Sequence, residues 1–216
     1  LDTGHMVGVE ALARWSDPVL GVVAPSEFVD IAEDRGLIHA LGDHILNVAL
    51  DDAQRSGLIE HGLTVSVNVS IIQLRVPGFT DLVAEALRRS GVPPALLILE
   101  VTETIFVRQD DPALRTIAEL GKLGIGFSLD DFGAGYSSLS RLSRLPVRTL
   151  KIDKSITERL TEAKTQAIVR SVVEMANGLD LMVVLEGVEN ARQVAQARAH
   201  GVGHPQGWYI RAALTP

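Results

Sequence analysis

Charged and amide side chains fall at or near the ends of short apolar segments along almost the whole chain: Glu10, Asn68, Glu100, the adjacent pair Asp130 and Asp131, Lys151, Glu186 and Gln206. If a fold gathers those ends, its five carboxylates repel one another and raise one another's pKa unless cations lie between them. The chain has no cysteine, which leaves oxygen or imidazole ligands, and with no histidine among these residues the hard oxygens here select Mg²⁺ or Mn²⁺ over Zn²⁺. Adjacent Asp130 and Asp131 allow one carboxylate to bridge two ions. That is the arrangement that activates a water and stabilises a leaving oxygen in phosphodiester cleavage. Lys151, on the same strand face as Thr149 and Asp153, is placed to orient that water or to help deprotonate it.

Such a site needs strands to carry it. Thr64-Val65-Ser66-Val67-Asn68-Val69-Ser70 alternates polar and apolar residues, the period of a strand with two unlike faces, with Asn68 on the face of Ser66 and Ser70. Further Val-, Ile- and Leu-rich runs at about 7–12, 96–101, 125–130, 148–152, 181–186 and 207–210 predict six more strands. Helical patterns fill most of the gaps. Two helices are expected near 26–36 and 41–57, and Asp111-Pro112 reads as a cap and first-turn proline. Gly91, Gly178 and Gly201 fit helix stops. Alternating strands and helices imply a parallel sheet, either doubly wound or closed as a (β/α)₈ barrel. Polar residues at nearly every strand end favour the barrel, whose strand ends meet at one mouth, over an open sheet with its signal at one switch point. Seven strands is one short of a barrel, so the first strand is expected to be lacking here.

The chain has 216 residues, 46% of them hydrophobic, which suits one globular domain over 1–216. No apolar run approaches the roughly 20 residues of a membrane-spanning helix, and the first 20 residues do not read as a signal peptide. The formal net charge of −7 argues against binding a nucleic-acid polymer through a basic surface. An anionic substrate would need cations to bridge it.

The residues resemble a known family. Val9-Glu10-Ala11-Leu12-Ala13-Arg14-Trp15 contains the triplet that names the EAL domains. The resemblance continues through Pro25-Ser26-Glu27-Phe28, Asn68-Val69-Ser70, Glu100-Val101-Thr102-Glu103, the run from Asp130-Asp131-Phe132-Gly133 to Leu139, Lys151-Ile152-Asp153, Glu186-Gly187-Val188-Glu189 and Gln206-Gly207. It implies a TIM-like (β/α)₈ barrel that hydrolyses cyclic di-GMP to linear pGpG with a water activated by two ions. Mg²⁺ or Mn²⁺ would support the reaction and Ca²⁺ inhibit it. The implied metal shell is Glu10, Asn68, Glu100, Asp130, Asp131 and Glu186, with Lys151 and Glu186 acting on the nucleophilic water. Leu12, Arg14, Asp153 and Gln206 would face substrate, and Glu103 would hold the loop Asp131–Leu139, which couples metal binding to dimerisation. The resemblance further implies a homodimer through the barrel, an upstream sensor or GGDEF domain, and a cytoplasmic location, with any membrane anchor in regions outside this stretch. Against the family pattern, Ala134 stands where Thr is usual, and 208–213 lacks the usual proline-containing finish.

Residue by residue, plainer roles compete. Glu10 alone serves equally as an ion-pair partner for Arg14, Asn68 as a partner for a backbone group, and Glu189 as a charge at a helix N-terminus or a support for the site. Gly133-Ala134-Gly135 misses the dinucleotide-binding spacing. The six histidines fall outside every motif. Two competing functions are a catalytically silent cyclic di-GMP receptor, which loss of metal ligands would mark, and a barrel enzyme acting on another phosphate ester.

Overall fold

The computed structural model describes residues 4–103, 111–132, 142 and 145–211. The chain divides into two compact units, Met6–Val101 with Asp110–Gly126, and Phe127–Pro216 with Leu1–His5 and Thr102–Gln109. Among the described residues, seven strands pair in parallel and two more form an antiparallel hairpin.

In the first unit, β1 (Gly8–Ala11) pairs in parallel with β4 (Thr64–Asn68), which pairs in parallel with β5 (Leu97–Thr102). The alternation predicted for 64–70 holds. Val65 and Val67 are buried, whereas Ser66 and Asn68 keep solvent access on the other face. Leu97, Ile98, Leu99 and Val101 are all buried, so β5 is covered on both faces, as parallel strands are when helices pack over them. The helices are α1 (Pro25–Asp34), α2 (Ile38–Arg55), α3 (Ile71–Leu74), α4 (Phe79–Ser90) and α5 (Pro112–Lys122). Asp111 caps α5 by accepting from the Ala113 amide at 3.0 Å, and Pro112 occupies the first turn, as the sequence predicts. Buried Asp111 also takes a two-pronged ion pair from Arg75, whose Nη2 stands 2.6 Å from Oδ2. That pair ties the end of α3 to the start of α5.

The hairpin of β2 (Trp15–Asp17) and β3 (Gly21–Val23) was not predicted, because strands of three residues are too short to show a period. Its turn is made by Asp17, whose Oδ1 accepts from the Val19 and Leu20 amides at 2.8 and 2.9 Å. Trp15 meets Phe28 of α1 edge to face, with ring centroids 5.9 Å apart.

In the second unit β6 (Gly126–Phe132), β7 (Val147–Ile152), β8 (Met182–Leu185) and β9 (His204–Pro205) pair in parallel in that order. The helices are α6 (Lys154–Glu158), α7 (Ala163–Gly178) and α8 (Ala191–Ala199). The strand expected at 207–210 is a turn instead, and the strand lies just before it. A Cβ at Gly207 would stand 2.3 Å from the Val188 amide nitrogen, and its φ of 151° is one that side chains disfavour. The Ile210 and Arg211 amides then fold back onto the Gly207 carbonyl at 3.0 and 3.1 Å. The apolar run Trp208-Tyr209-Ile210 is therefore exposed, not a buried strand.

Candidate functional site

The first unit brings three of the predicted residues to one sheet face. The register sets Glu10 beside Ser66 and Asn68 beside Glu100. Because side chains repeat every second residue along a strand, Glu10, Ser66, Asn68 and Glu100 share that face. The Asn68 Nδ2 donates to the Glu10 Oε1 at 2.9 Å, which fixes Asn68 with its carbonyl oxygen turned away as an acceptor. Glu100 is only 3% exposed. A carboxylate so deep needs a compensating cation or donors, since burial disfavours its charged form. Leu12 is exposed, and Arg14, also exposed, donates to the Ala13 carbonyl at 3.0 Å.

In the second unit a local irregularity builds the acidic cluster. Successive residues of a regular strand point to opposite faces, so Asp130 and Asp131 would be separated. Instead, Leu129 pairs with Leu150 and Phe132 with Ile152, three steps on β6 against two on β7. The extra residue is a bulge, which re-aims side chains. Asp131 takes the strain as a left-handed residue at φ 55°, a region Asp tolerates better than most. Carboxylate oxygens of Asp130, Asp131 and Glu186, one from each, consequently lie within 4.8 Å of one another. The Asp131 carboxyl is pushed above its usual value, first by burial and then by the neighbouring charges of Asp130 and Asp153, with Lys151 opposing. Three hard-oxygen donors at this spacing, one kept from ionising easily by burial and by its neighbours, fit a divalent cation.

Lys151 is 2% exposed on β7. Its Nζ lies 2.7 Å from the Glu186 Oε1 and 3.6 Å from the Asp130 Oδ1. Glu186 is the first residue beyond β8, held there by its amide bonding to the Ile152 carbonyl at 3.1 Å. A buried ammonium is costly unless paired, and these two carboxylates are its compensation. Gln206 is anchored at both backbone groups, its amide to the Leu185 carbonyl and its carbonyl to the Val188 amide, each at 2.9 Å. Asp153, expected to face substrate, uses its Oδ1 to cap α6, accepting from the Ser155 amide at 3.0 Å and from the Ser155 hydroxyl. Glu103 is buried. Most of the loop it is expected to hold, including Ala134, lies outside the described residues.

Sequence reasoning missed Lys154, which reaches Glu189 at 2.9 Å across the segment after β8. Its only signal was its place three residues after Lys151. It also missed the bulge, for which a doubled Asp was the sole hint.

A model of the EAL domain matches residues 1–213. The chain is 40% identical over 208 residues to an uncharacterized signaling protein of Caulobacter vibrioides, covering 96% of this chain and 25% of the relative. It is 39% identical over 211 residues to MucR of Pseudomonas aeruginosa, a bifunctional diguanylate cyclase/cyclic di-GMP phosphodiesterase, covering 96% of this chain and 30% of the relative. The chain thus spans less than a third of the length of these curated relatives. Among solved structures, the PaMucR phosphodiesterase in its c-di-GMP complex superposes with a TM-score of 0.90 at 37% identity, over 96% of this chain and 85% of that one. The fold is accordingly α/β of the TIM-like (β/α)₈ class, with the described residues supplying seven of its parallel strands. Strand-end acids, a family match across nearly every residue and this structural likeness agree, and the chain belongs to the EAL domain family.

Proposed function

We propose that this chain is a cyclic di-GMP phosphodiesterase that opens the cyclic dinucleotide to linear pGpG. The observation that carries the reading is the Lys151–Glu186 contact of 2.7 Å inside a cluster where Asp130 and Asp131 offer further oxygens. Family membership and the likeness to a phosphodiesterase solved with c-di-GMP support it. Glu10, Asn68, Glu100, Asp130, Asp131 and Glu186 are assigned as ligands of two Mg²⁺ or Mn²⁺ ions. Bound divalent ions supply positive charge to the phosphodiester and make a nearby water more acidic.

The chain's own residues do the rest. An ammonium donates up to three hydrogen bonds and accepts none, so Lys151 orients the water oxygen and holds the Glu186 carboxylate beside it. Glu186 accepts the proton as the water oxygen bonds to phosphorus, and the P–O bond to the leaving sugar oxygen breaks, that oxygen taking up a proton from solvent. Leu12, Arg14, Asp153 and Gln206 are assigned to substrate, and Glu103 to the loop of 131–139. We extend the reading to a homodimer, to a sensor or GGDEF domain in a longer polypeptide and to a cytoplasmic site of action. Among the described residues no helix is long and apolar enough to cross a membrane.

The test is to follow cyclic di-GMP by chromatography with Mg²⁺, Mn²⁺ or Ca²⁺ present. Conversion to pGpG with the first two ions and arrest by Ca²⁺ is expected. Binding without turnover under all three would make the chain a receptor, and cleavage of other phosphate esters alone would overturn the substrate.

A further inference from the structure

We propose that Lys154 is a positioning residue for the Glu186 carboxylate, a strap across the backbone turn that carries it. The inference rests on the phosphodiesterase reading above. Glu186 lies outside any regular strand, so its aim depends on what holds residues 186–189.

On one side of the turn the Glu186 amide is bonded to the Ile152 carbonyl at 3.1 Å. On the other side the Val188 amide bonds to the Gln206 carbonyl at 2.9 Å, and the Glu189 amide to the Gln193 Oε1 at 2.8 Å. Between them stands Gly187, at φ 66° and with no side chain of its own to pack. That is the soft point of the turn.

Lys154 covers it. A Cβ built on Gly187 would lie 2.4 Å from the Lys154 Cγ, 2.8 Å from its Cβ and 2.9 Å from its Cδ, so the alkyl stem rests on the glycine. Beyond the glycine the Nζ reaches the Glu189 Oε1 at 2.9 Å and the Glu158 Oε1 at 3.6 Å. The side chain therefore starts at the head of α6, crosses the turn and is pinned on its far side. Lys151, three residues earlier on the same segment, grips the Glu186 side chain at 2.7 Å. One lysine fixes the carboxylate and the other the backbone beneath it. Lys154 and Glu189 are each about half exposed, and exposed ion pairs contribute little to global stability. Loss of the strap should consequently alter the turn without unfolding the protein.

The experiment compares Lys154→Ala, Lys154→Met and Lys154→Arg with the parent chain. It reads kcat and KM for cyclic di-GMP with Mg²⁺, the melting temperature, and amide hydrogen exchange at Val188 and Glu189 in metal-free protein. Lys154→Ala is expected to lower kcat by about 10-fold, since small misplacements of reacting groups cost up to about 100-fold. KM should stay within about twofold, and the two amides should exchange about 10-fold faster while core amides do not. Lys154→Met keeps the stem and should fall between Ala and parent, and Lys154→Arg should recover most of kcat. Unchanged exchange at Val188 and Glu189 overturns the strap, as does an unchanged kcat, or a kcat loss accompanied by a general fall in melting temperature and core protection. A parent chain that does not hydrolyse cyclic di-GMP overturns the functional reading instead, and the exchange data still decide the strap.

Discussion

At the scale of single residues, the buried ammonium of Lys151 and the raised carboxyl of Asp131 are two answers to one electrostatic problem. Lys151 sets its ammonium against the carboxylates of Glu186 and Asp130. Lys151→Ala removes the group assigned above to the water, and is expected to slow turnover by about 10²–10⁴-fold, the usual range for general acid–base help, with little change in cyclic di-GMP affinity. Steady-state kinetics with a parallel binding titration checks it. Asp131 works in the opposite sense. Its carboxyl is raised by burial and by the charges of Asp130 and Asp153, so the folded state binds a proton there more tightly than the unfolded chain does. Ionised Asp131 thus costs stability at neutral pH, and that cost disappears as pH falls through the raised pKa. Asp131→Asn, which also tolerates the left-handed backbone, is expected to raise the melting temperature of the metal-free protein at pH 7 while abolishing hydrolysis. The stability gain should shrink as pH falls through that raised pKa and be gone below about pH 4, the ordinary carboxylate range. Melting curves in chelator at both pH values test the sign.

At the scale of elements, the connection between α3 and α5 is a local weak point. Asp111 caps α5 and receives the guanidinium of Arg75 with the same carboxylate. Asp111→Ala removes both interactions and is expected to destabilise the fold by about 1–3 kcal/mol, combining a lost cap with a lost charged hydrogen bond. Urea unfolding of the variant measures it, and Arg75→Ala should cost at least as much, because the cap survives but the buried Asp111 carboxylate loses its guanidinium. This element was legible in the sequence, since Asp-Pro ahead of an amphipathic run is a signal of local chemistry. So were β4, through its alternation, and the placement of Glu10, Asn68, Glu100, Lys151 and Glu186 at strand ends. The hairpin of β2 and β3 and the strand at His204-Pro205 were not, because they are two or three residues long, too short to show a period, and the latter pairs with a strand about 20 residues earlier. The exposed run Trp208-Tyr209-Ile210 misled because hydropathy records composition, whereas the turn there is dictated by the close approach of Gly207 to Val188. What Lys154 does was hidden for a related reason, its partner Glu189 being 35 residues away.

At the scale of the whole molecule, a chain of net charge −7 would, on the proposed function, have to admit a doubly charged anion. Bound divalent ions would neutralise the immediate site, but the remaining surface would still repel that dinucleotide over distances of about a Debye length, 10 Å at 0.1 M salt. Raising monovalent salt from about 10 mM to about 150 mM at fixed Mg²⁺ should therefore lower KM with little effect on kcat, the reverse of what a basic nucleotide-binding protein shows. A KM that rises with salt would mean that a local cationic patch dominates the approach. The bulge in β6 bears on how relatives can be compared. The segment between Leu129 and Phe132 carries one residue more than β7 between Leu150 and Ile152, and that single insertion lets two consecutive acids serve one cluster. A relative one residue shorter in this interval could keep the sheet, the helices and even the doubled Asp, yet one of its two carboxylates would face the helices. The spacing between Leu129 and Phe132 is then a ruler for whether two adjacent acids can meet in one cluster, readable in any member of the family before a single acid is inspected.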